Sequence, residues 1–281
     1  MARDDRNPFP TRGIHRYVAR YIRGLPELAG RTVLDIPCGD GRATWEFRKK
    51  GARVVSLDLF PGLMKLEDAE AAYADLMEPL PLEDASVDCV ISQEGIEHIP
   101  DQLGVLREFN RVLKKGGTLF LTTPNYSHAR ARLFRFLIEN DHWKRMPPTE
   151  IDGVWFAEEA SDKLYFGHLF LLPVQHLASL ATLAGFRVAE RVRTDPGNTS
   201  IVLGVLLYPL FALFSLLSYF SYRKKNVHVP REERRRILWE RVRLNLSPTT
   251  LFYKHSFWVL TKEHELDEVA RRLKAMRRVE G

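Results

Sequence analysis

The first half of the chain alternates short apolar runs with amphipathic stretches, a pattern that predicts strands alternating with helices. Four runs rich in Val, Ile and Leu are predicted to be buried strands: residues 33–36, 54–57, 87–92 and 118–123. Before the last of them, residues 103–115 place apolar side chains at helical spacing, and Gly116 and Gly117 end that helix. The strand–helix–strand order indicates a parallel sheet with helices on both faces, so an α/β fold is expected.

Acidic and small residues follow the first two predicted strands. Asp35 ends the first strand, and Gly39 and Gly41 lie in the turn that opens the next helix. Glycines let the backbone approach a ligand closely, and the N–H groups at a helix start can hold a polar or anionic group. Asp58 ends the second strand, where a carboxylate suits the two hydroxyls of a ribose. The chain is therefore predicted to bind an adenosine-type cofactor.

The same residues distinguish between two such cofactors. A dinucleotide fingerprint, G-x-G-x-x-G, requires a third glycine where this chain has Thr44. Asp35 faces the place where a pyrophosphate would have to lie, and two negative charges close together are unfavourable. The ammonium of a methionine moiety is instead attracted by Asp35. S-adenosylmethionine is therefore favoured over NAD.

Residues 33–42 resemble motif I of the class I S-adenosylmethionine-dependent methyltransferases, except that Pro37 stands where the first glycine of that motif is usual. Residues 74–82 resemble the segment that caps the adenine, which implies that Asp75 accepts from the exocyclic amine and Leu76 covers a ring face. Residues 93–99 are similar to the loop and helix start of a subgroup that includes quinone-biosynthesis O-methyltransferases. The Thr-Pro-Asn end of the fifth strand and the apolar insertion before the last strand resemble surface-glycan O-methyltransferases. The cofactor contacts that the resemblance implies are Asp35, Pro37, Gly39, Gly41, Asp58, Leu59, Asp75, Leu76 and Gln93.

The resemblance also implies a Rossmann-like, seven-stranded, mostly parallel sheet whose last strand is antiparallel, with helices on both faces. The expected organisation, given as residue ranges, is an N-terminal helical segment at 1–30, a cofactor-binding domain at 31–200 and 250–265 with an acceptor lid at 125–172, an apolar and then basic helical insertion at 201–249, and a C-terminal helix at 266–281.

Residues 201–220 carry no charged side chain, and as one helix they would measure about 30 Å, the thickness of a bilayer's hydrocarbon. A single crossing would separate two strands that are expected in one sheet. Pro209, near the centre, favours two short helices that dip into one leaflet and return. The open alternatives are packing on the protein's own core and packing on a second subunit.

Charge is concentrated directly after this apolar run. Between Arg223 and Arg243 there are nine Lys or Arg and three Glu, a net charge of +6 that equals the formal charge of the whole chain. Residues 201–243 are therefore expected to contact an anionic membrane surface, where each cation contributes about 1 kcal/mol. A solvated charged face is the alternative. Nucleic acid is not favoured, because no base-stacking motif accompanies the charge.

The cellular setting follows from the cysteines and the N-terminus. Cys38 and Cys89 both fall in predicted sheet segments, which indicates a reducing compartment, and the first residues show no apolar signal region. The expected location is the cytoplasm, with contact at the inner face of the membrane. No metal-ligand spacing is present in the sequence, so no metal site is expected.

His98 is the candidate catalytic base. An oxygen acceptor must lose its proton near neutral pH, and a histidine titrates in that range. The alternative is that His98 only caps or orients the local helix, and His168 is the next candidate. The predicted function is S-adenosylmethionine-dependent O-methylation of a membrane-associated acceptor such as a lipid-linked saccharide. A quinone or other small phenol as acceptor, or a non-catalytic cofactor-binding protein, remains open, as does the oligomeric state.

Overall fold

The computed structural model describes residues 9, 12–144, 146–157, 163–225 and 229–276. The strands are β1 Thr32–Asp35, β2 Arg53–Asp58, β3 Ala71–Tyr73, β4 Val87–Gln93, β5 Leu113–Pro124, β6 Val154–Ala157, β7 Leu164–Phe166, β8 Phe186–Val192 and β9 His255–Lys262. The α-helices are α1 Gly13–Arg23, α2 Arg42–Lys49, α3 Gln102–Val112, α4 Ala129–Ile138, α5 Glu150–Gly153, α6 Val174–Leu183, α7 Asn198–Tyr222, α8 Arg231–Leu246, α9 Pro248–Leu251 and α10 Leu266–Met276.

Seven strands form one sheet in the order β3-β2-β1-β4-β5-β9-β8. Strand β9 is antiparallel to both of its neighbours, and the other pairs are parallel. The predicted seven-stranded sheet with an antiparallel last strand is therefore confirmed. One boundary differs from the prediction: α3 ends at Val112 and not at residue 115, because Leu113 already pairs with Val87 of β4.

Neighbouring residues of a strand point to opposite faces of the sheet. The central strands place apolar side chains on both faces, and helices cover each face. In β4, Val90 joins the core cluster that includes Phe109 of α3. Ile91, the next residue, joins a second cluster with Ile22 of α1 and Phe47 of α2. All five side chains are 1% exposed or less, so the central strands are buried on both faces.

The parallel strands end at one edge of the sheet, and this edge is where the predicted site residues meet. From β1 the chain builds outward through β2 to β3 and then returns to β4 on the other side of β1. A crevice opens where the strand order reverses in this way, at the carboxyl ends of the strands. The turns after β1, β2 and β4 therefore lie close to one another.

The expected lid at 125–172 contains α4, α5 and a small antiparallel sheet of β6 and β7. The expected terminal helical segments contain α1 and α10. Residues 1–8, 10–11 and 277–281 of those segments lie outside the described residues.

Helix α7 differs from the prediction because it is one continuous helix of 25 residues with Pro209 inside it, and not two short helices. Packing contacts before and after Pro209 keep the two halves of the helix on one axis. Before it, Gly204 lies against Phe252; after it, Phe211 faces the Arg132 guanidinium at 5.0 Å and Ser215 accepts a hydrogen bond from Asn245 at 2.8 Å. These contacts offset the backbone hydrogen bond that a proline removes.

Most of α7 is not covered by the protein. Its buried residues are Ser200 and Gly204, so the alternative in which the apolar run folds into the protein's own core is wrong. Helix α8 runs back along the distal half of α7, where the rings of Trp239 and Tyr219 lie 5.4 Å apart. By length and composition α7 is the one helix among the described residues that could cross a membrane.

Candidate functional site

The turn after β1 depends on two glycines with left-handed backbone conformations. Gly39 has φ +51° and Gly41 has φ +90°. A Cβ at Gly41 would lie 2.5 Å from Met64 Sδ, so the turn and the segment after β2 are in close contact there. Pro37, which follows Ile36 through a cis peptide bond, packs its ring against Gly95 in the turn after β4. The two turns thus form one tightly packed rim.

Asp35 is fully buried beneath this rim. Its Oδ2 accepts a hydrogen bond from the Thr44 hydroxyl at 2.6 Å, whereas Oδ1 is buried and has no hydrogen-bond partner among the described residues. Burial raises the pKa of Asp35 to about 7, and the hydrogen bonds from Thr44 oppose that rise. The Thr44 hydroxyl also lies 2.9 Å from Ser56 Oγ. Thr44 therefore replaces the third glycine of a dinucleotide motif with a side chain that orients Asp35.

Asp58 holds the glycine turn as well as the end of β2. Its Oδ2 accepts from the Gly39 N–H and its Oδ1 from the Phe60 N–H, both at 2.8 Å. Each carboxylate oxygen has a second lone pair, so hydroxyls can still bind there. Leu59, the next residue, is half-buried. Replacing Asp58 would therefore disturb the turn in addition to any ribose contact.

Asp75 is joined to the lid. Its Oδ1 accepts from the Met77 N–H at 2.9 Å, and its Oδ2 accepts from the Tyr165 hydroxyl at 3.2 Å. Tyr165 in turn stacks on Phe156 across the β6–β7 hairpin, with ring centroids 4.4 Å apart. The hairpin therefore closes over the carboxylate that is expected to take the adenine amine. Leu76, beside it, is partly buried against the core.

Gln93 ends β4 and connects this edge to the N-terminal helix. Its Oε1 lies 3.4 Å from Nδ1 of His15 in α1. The sequence carries no local signal for this contact, because 78 residues separate the two side chains.

Two glutamates lie in the turn after β4. Glu97 is fully buried; its Oε2 accepts from the Thr123 hydroxyl at 2.9 Å, and its Oε1 has no hydrogen-bond partner among the described residues. Burial raises the pKa of Glu97, and the nearby charge of Glu94 adds to the rise. Glu94 adopts φ +49°, and its Oε2 lies 3.2 Å from His255 Nδ1. The buried oxygens of these glutamates therefore converge at the strand ends.

His98 follows Glu97 and faces the lid. Its Nδ1 donates to the Phe166 carbonyl at 2.8 Å, so the neutral ring carries its proton on Nδ1 and Nε2 remains a proton acceptor. The ring centroid lies 4.8 Å from that of His168 and 5.7 Å from that of Trp155. Atoms of Glu97, His98 and His168 that can ligate a metal all lie within 4.8 Å of one another. The sequence does not reveal this group, because His168 is 70 residues from His98.

Comparison with known proteins connects this geometry to a family. A family model described as a methyltransferase domain matches residues 5–191. The chain belongs to this methyltransferase family.

Curated relatives of this methyltransferase carry the name ubiquinone biosynthesis O-methyltransferase. The protein of Xanthomonas oryzae pv. oryzae (strain PXO99A) is 35% identical over 118 residues, which cover 39% of this chain and 49% of the relative. The protein of Xanthomonas euvesicatoria pv. vesicatoria (strain 85-10) is 33% identical over 129 residues, covering 43% and 54%. The chain thus spans about half the length of the curated relatives it matches.

A solved structure from Listeria monocytogenes, assigned as an S-adenosylmethionine-dependent methyltransferase, has the same fold. It aligns with a TM-score of 0.50 over 89% of this chain and 99% of that chain, at 14% sequence identity. The likeness therefore concerns the sheet and its helices.

The residues at the strand ends fit S-adenosylmethionine, which supplies an electrophilic methyl group on sulfur when it is bound. Asp35 offers a buried Oδ1 that has no hydrogen-bond partner in the described part of the chain and suits the ammonium of the methionine moiety. Asp58 and Asp75 offer carboxylates at the ends of neighbouring strands, where a ribose and an adenine amine would bind. The glycine turn leaves room for close backbone approach. The enzyme's own contribution is to position these groups and exclude water.

Proposed function

We propose that this methyltransferase methylates a hydroxyl oxygen of a membrane-associated acceptor, with a lipid-linked saccharide as the leading candidate. The observation that carries the proposal is the hydrogen bond from His98 Nδ1 to the Phe166 carbonyl, because it leaves Nε2 able to accept a proton. A hydroxyl is a weak nucleophile until a base removes its proton, whereas an amine acceptor needs less help.

Groups around His98 suit such a proton transfer. Burial favours the neutral form of Glu97, and its Oε1 has no partner within the residues that the structure describes. This oxygen can therefore take part in a hydrogen bond to an acceptor hydroxyl in the same space. His98 itself is half-buried, so the lid limits the access of water to the ring. The strained Glu94 turn fixes where the residues after β4 point.

The lid offers surfaces that fit a sugar. Trp155 is 63% exposed and lies beside His98, and Trp143 is 62% exposed. Flat indole rings pack well against the apolar face of a pyranose and donate a hydrogen bond from their edge. A saccharide bound against Trp155 would place a hydroxyl near His98 Nε2.

A quinone-type phenol is the second candidate. It is supported by the relatives named as ubiquinone biosynthesis O-methyltransferases, at 33–35% identity over about half of their length. A prenylated phenol also requires access to a membrane. Both candidates favour a cytoplasmic enzyme at the inner face of the membrane. The free cysteines Cys38 and Cys89 are consistent with a reducing compartment.

The test supplies the purified full chain and S-adenosylmethionine with two acceptor sets, polyprenyl-linked saccharides and prenylated catechols. Product mass is read by mass spectrometry. A methyl ether on a saccharide supports the leading proposal, and one on a catechol alone supports the second. A chain that binds S-adenosylmethionine but methylates neither acceptor set would contradict both.

The base assignment is tested by His98→Asn against His176→Asn, a matched change at an exposed histidine of α6. We expect His98→Asn to lower kcat by about 100-fold or more while S-adenosylhomocysteine affinity stays the same. Equal kcat values for the two variants, or loss of cofactor affinity together with rate, would remove His98 as the base.

A further inference from the structure

The outward side of α7 is apolar over most of its length. Seven large side chains there are 50–69% exposed, and we call them the α7 face: Val202, Val205, Leu206, Leu210, Leu213, Phe214 and Leu217. The helix measures about 37 Å. An exposed apolar surface of this extent marks a contact with something apolar outside the chain.

Helix α8 determines how α7 can meet such a partner. Arg241 and Arg243 lie in the last turns of α8, next to Asn245, which donates to Ser215 of α7. If α7 crossed a bilayer, α8 would be drawn in beside it, and its arginines would enter hydrocarbon. Charged side chains are strongly disfavoured there. Helix α7 is therefore compatible with lying along a membrane but not with spanning it.

We propose that α7 lies parallel to the surface of an anionic membrane, with the α7 face immersed in one leaflet and the cations around α8 at the headgroups. The neighbouring helix α4 adds Phe136, which is 85% exposed, and Leu137, which is 59% exposed, at its carboxyl end. A helix that lies at the membrane interface buries its apolar side to a depth of about 5–10 Å. This docking surface is independent of which acceptor the enzyme methylates.

Charge favours a lipid surface over a second copy of the chain. The segment from Arg223 to Arg243, which flanks the α7 face, carries a net charge of +6. Pairing two copies through their α7 faces would bring two such segments together, and like charges repel. An anionic leaflet instead attracts the same cations.

The first experiment measures co-sedimentation of the full chain with phosphatidylcholine vesicles that contain or lack phosphatidylglycerol. We expect binding to the anionic vesicles that weakens with salt. Leu206→Glu and Phe214→Glu should each weaken vesicle binding at least tenfold, because each removes about one apolar side chain from the leaflet. The control Leu273→Glu makes the same change at an exposed leucine of α10 and should bind like the native chain.

Cations are tested separately. Lys224→Gln with Arg235→Gln removes two exposed cations and should weaken binding to anionic vesicles by about 30-fold, with little change on neutral vesicles. S-adenosylhomocysteine calorimetry on every variant checks that the cofactor site is folded, and methylation of a soluble acceptor is measured apart from vesicle binding. A failed acceptor assignment therefore leaves this result unaffected.

Two outcomes would overturn the docking surface. One is vesicle binding that survives both substitutions on the α7 face. The other is a native chain that does not bind vesicles but forms a dimer that Leu206→Glu dissociates. In that case a second copy of the chain would be the partner that covers the α7 face.

Orientation is tested with nitroxide labels at Val202→Cys and, separately, Leu217→Cys, in a background with Cys38→Ala and Cys89→Ala that still binds S-adenosylhomocysteine. The two positions are about 22 Å apart along the helix. Similar depths in the bilayer are expected for a helix that lies flat. Depths that differ by most of that length would show that α7 spans the membrane.

Discussion

Asp35 gives the sharpest prediction, because its environment makes cofactor binding depend on pH. The carboxyl is fully buried, and burial raises its pKa to about 7. The neighbouring carboxylates of Asp58 and Asp40 add to the rise, and Thr44 opposes it. A cation that binds at Asp35 Oδ1 would pair with the ionised form. Binding should therefore become tighter as pH rises through 7.

The expected magnitude follows from that pKa. Asp35 in the cofactor-free chain is about nine-tenths neutral at pH 6 and about one-tenth neutral at pH 8. If the ammonium of the ligand pairs only with the carboxylate, affinity for S-adenosylhomocysteine rises about tenfold over this interval. At pH 6 binding should also release close to one proton.

Isothermal titration calorimetry at pH 6, 7 and 8, in buffers of different ionisation enthalpy, measures both quantities. Asp35→Asn keeps a group that can accept from Thr44 but removes the ionisation, so its affinity should be lower and nearly independent of pH. Titration of the ligand itself is common to both chains and cancels in the comparison. Asp267→Asn, at an exposed carboxylate of α10 paired with Arg271, is the control and should keep the native slope.

An Asp35→Asn chain that shows the same pH slope and proton release as the native chain would refute this reasoning. The ionisation also acts on the cofactor-free fold. The pKa of Asp35 is higher in the folded chain than in the unfolded chain. The contribution of this carboxyl to the free energy of unfolding is therefore greatest below pH 4 and is lost as pH rises toward 7. The loss is on the order of 4 kcal/mol, and Asp35→Asn should remove that trend in a urea titration series.

Two further predictions concern the rim and the lid. Gly41→Ala should cost about 1–3 kcal/mol and weaken S-adenosylhomocysteine binding, because φ is +90° and Met64 and Leu66 occupy the space of a Cβ. Gly62→Ala, where a Cβ meets nothing within 4 Å, should be near neutral, and equal melting temperatures for the two variants would contradict the assignment. Tyr165→Phe removes the donor to Asp75 and should lower the free energy of unfolding by about 1–2 kcal/mol in urea, whereas Tyr208→Phe, at a 43% exposed tyrosine, should not.

The cofactor side of the site was predictable because its signals are local. Asp35, Gly39 and Gly41 lie within seven residues of one another, so the strand, the turn and the helix start are visible as one pattern. Asp58 was predictable because parallel strands end at one edge. The sequence did not reveal that Asp58 also holds the Gly39 turn, because that hydrogen bond is made only when β1 and β2 pair.

The acceptor side was less predictable because its residues come from distant parts of the chain. His98 could be named as a candidate base from its residue type and its place in the chain. Which of its ring nitrogens can accept a proton is determined by the hydrogen bond to the carbonyl of Phe166, 68 residues away. The pairing of Glu94 with His255 spans 161 residues. No spacing rule connects such residues, since loop folding brings them together.

The sequence alone determined the alternation of strands and helices, the cofactor class and the presence of an apolar segment followed by a basic one, because each depends on residue type within a short window. Only the tertiary structure decided how that segment is arranged. Pro209 predicted a break, yet contacts with Phe252, Arg132 and Asn245 keep α7 as one helix. A proline inside a helix costs a few kcal/mol, and packing contacts on both sides of that residue can outweigh this cost.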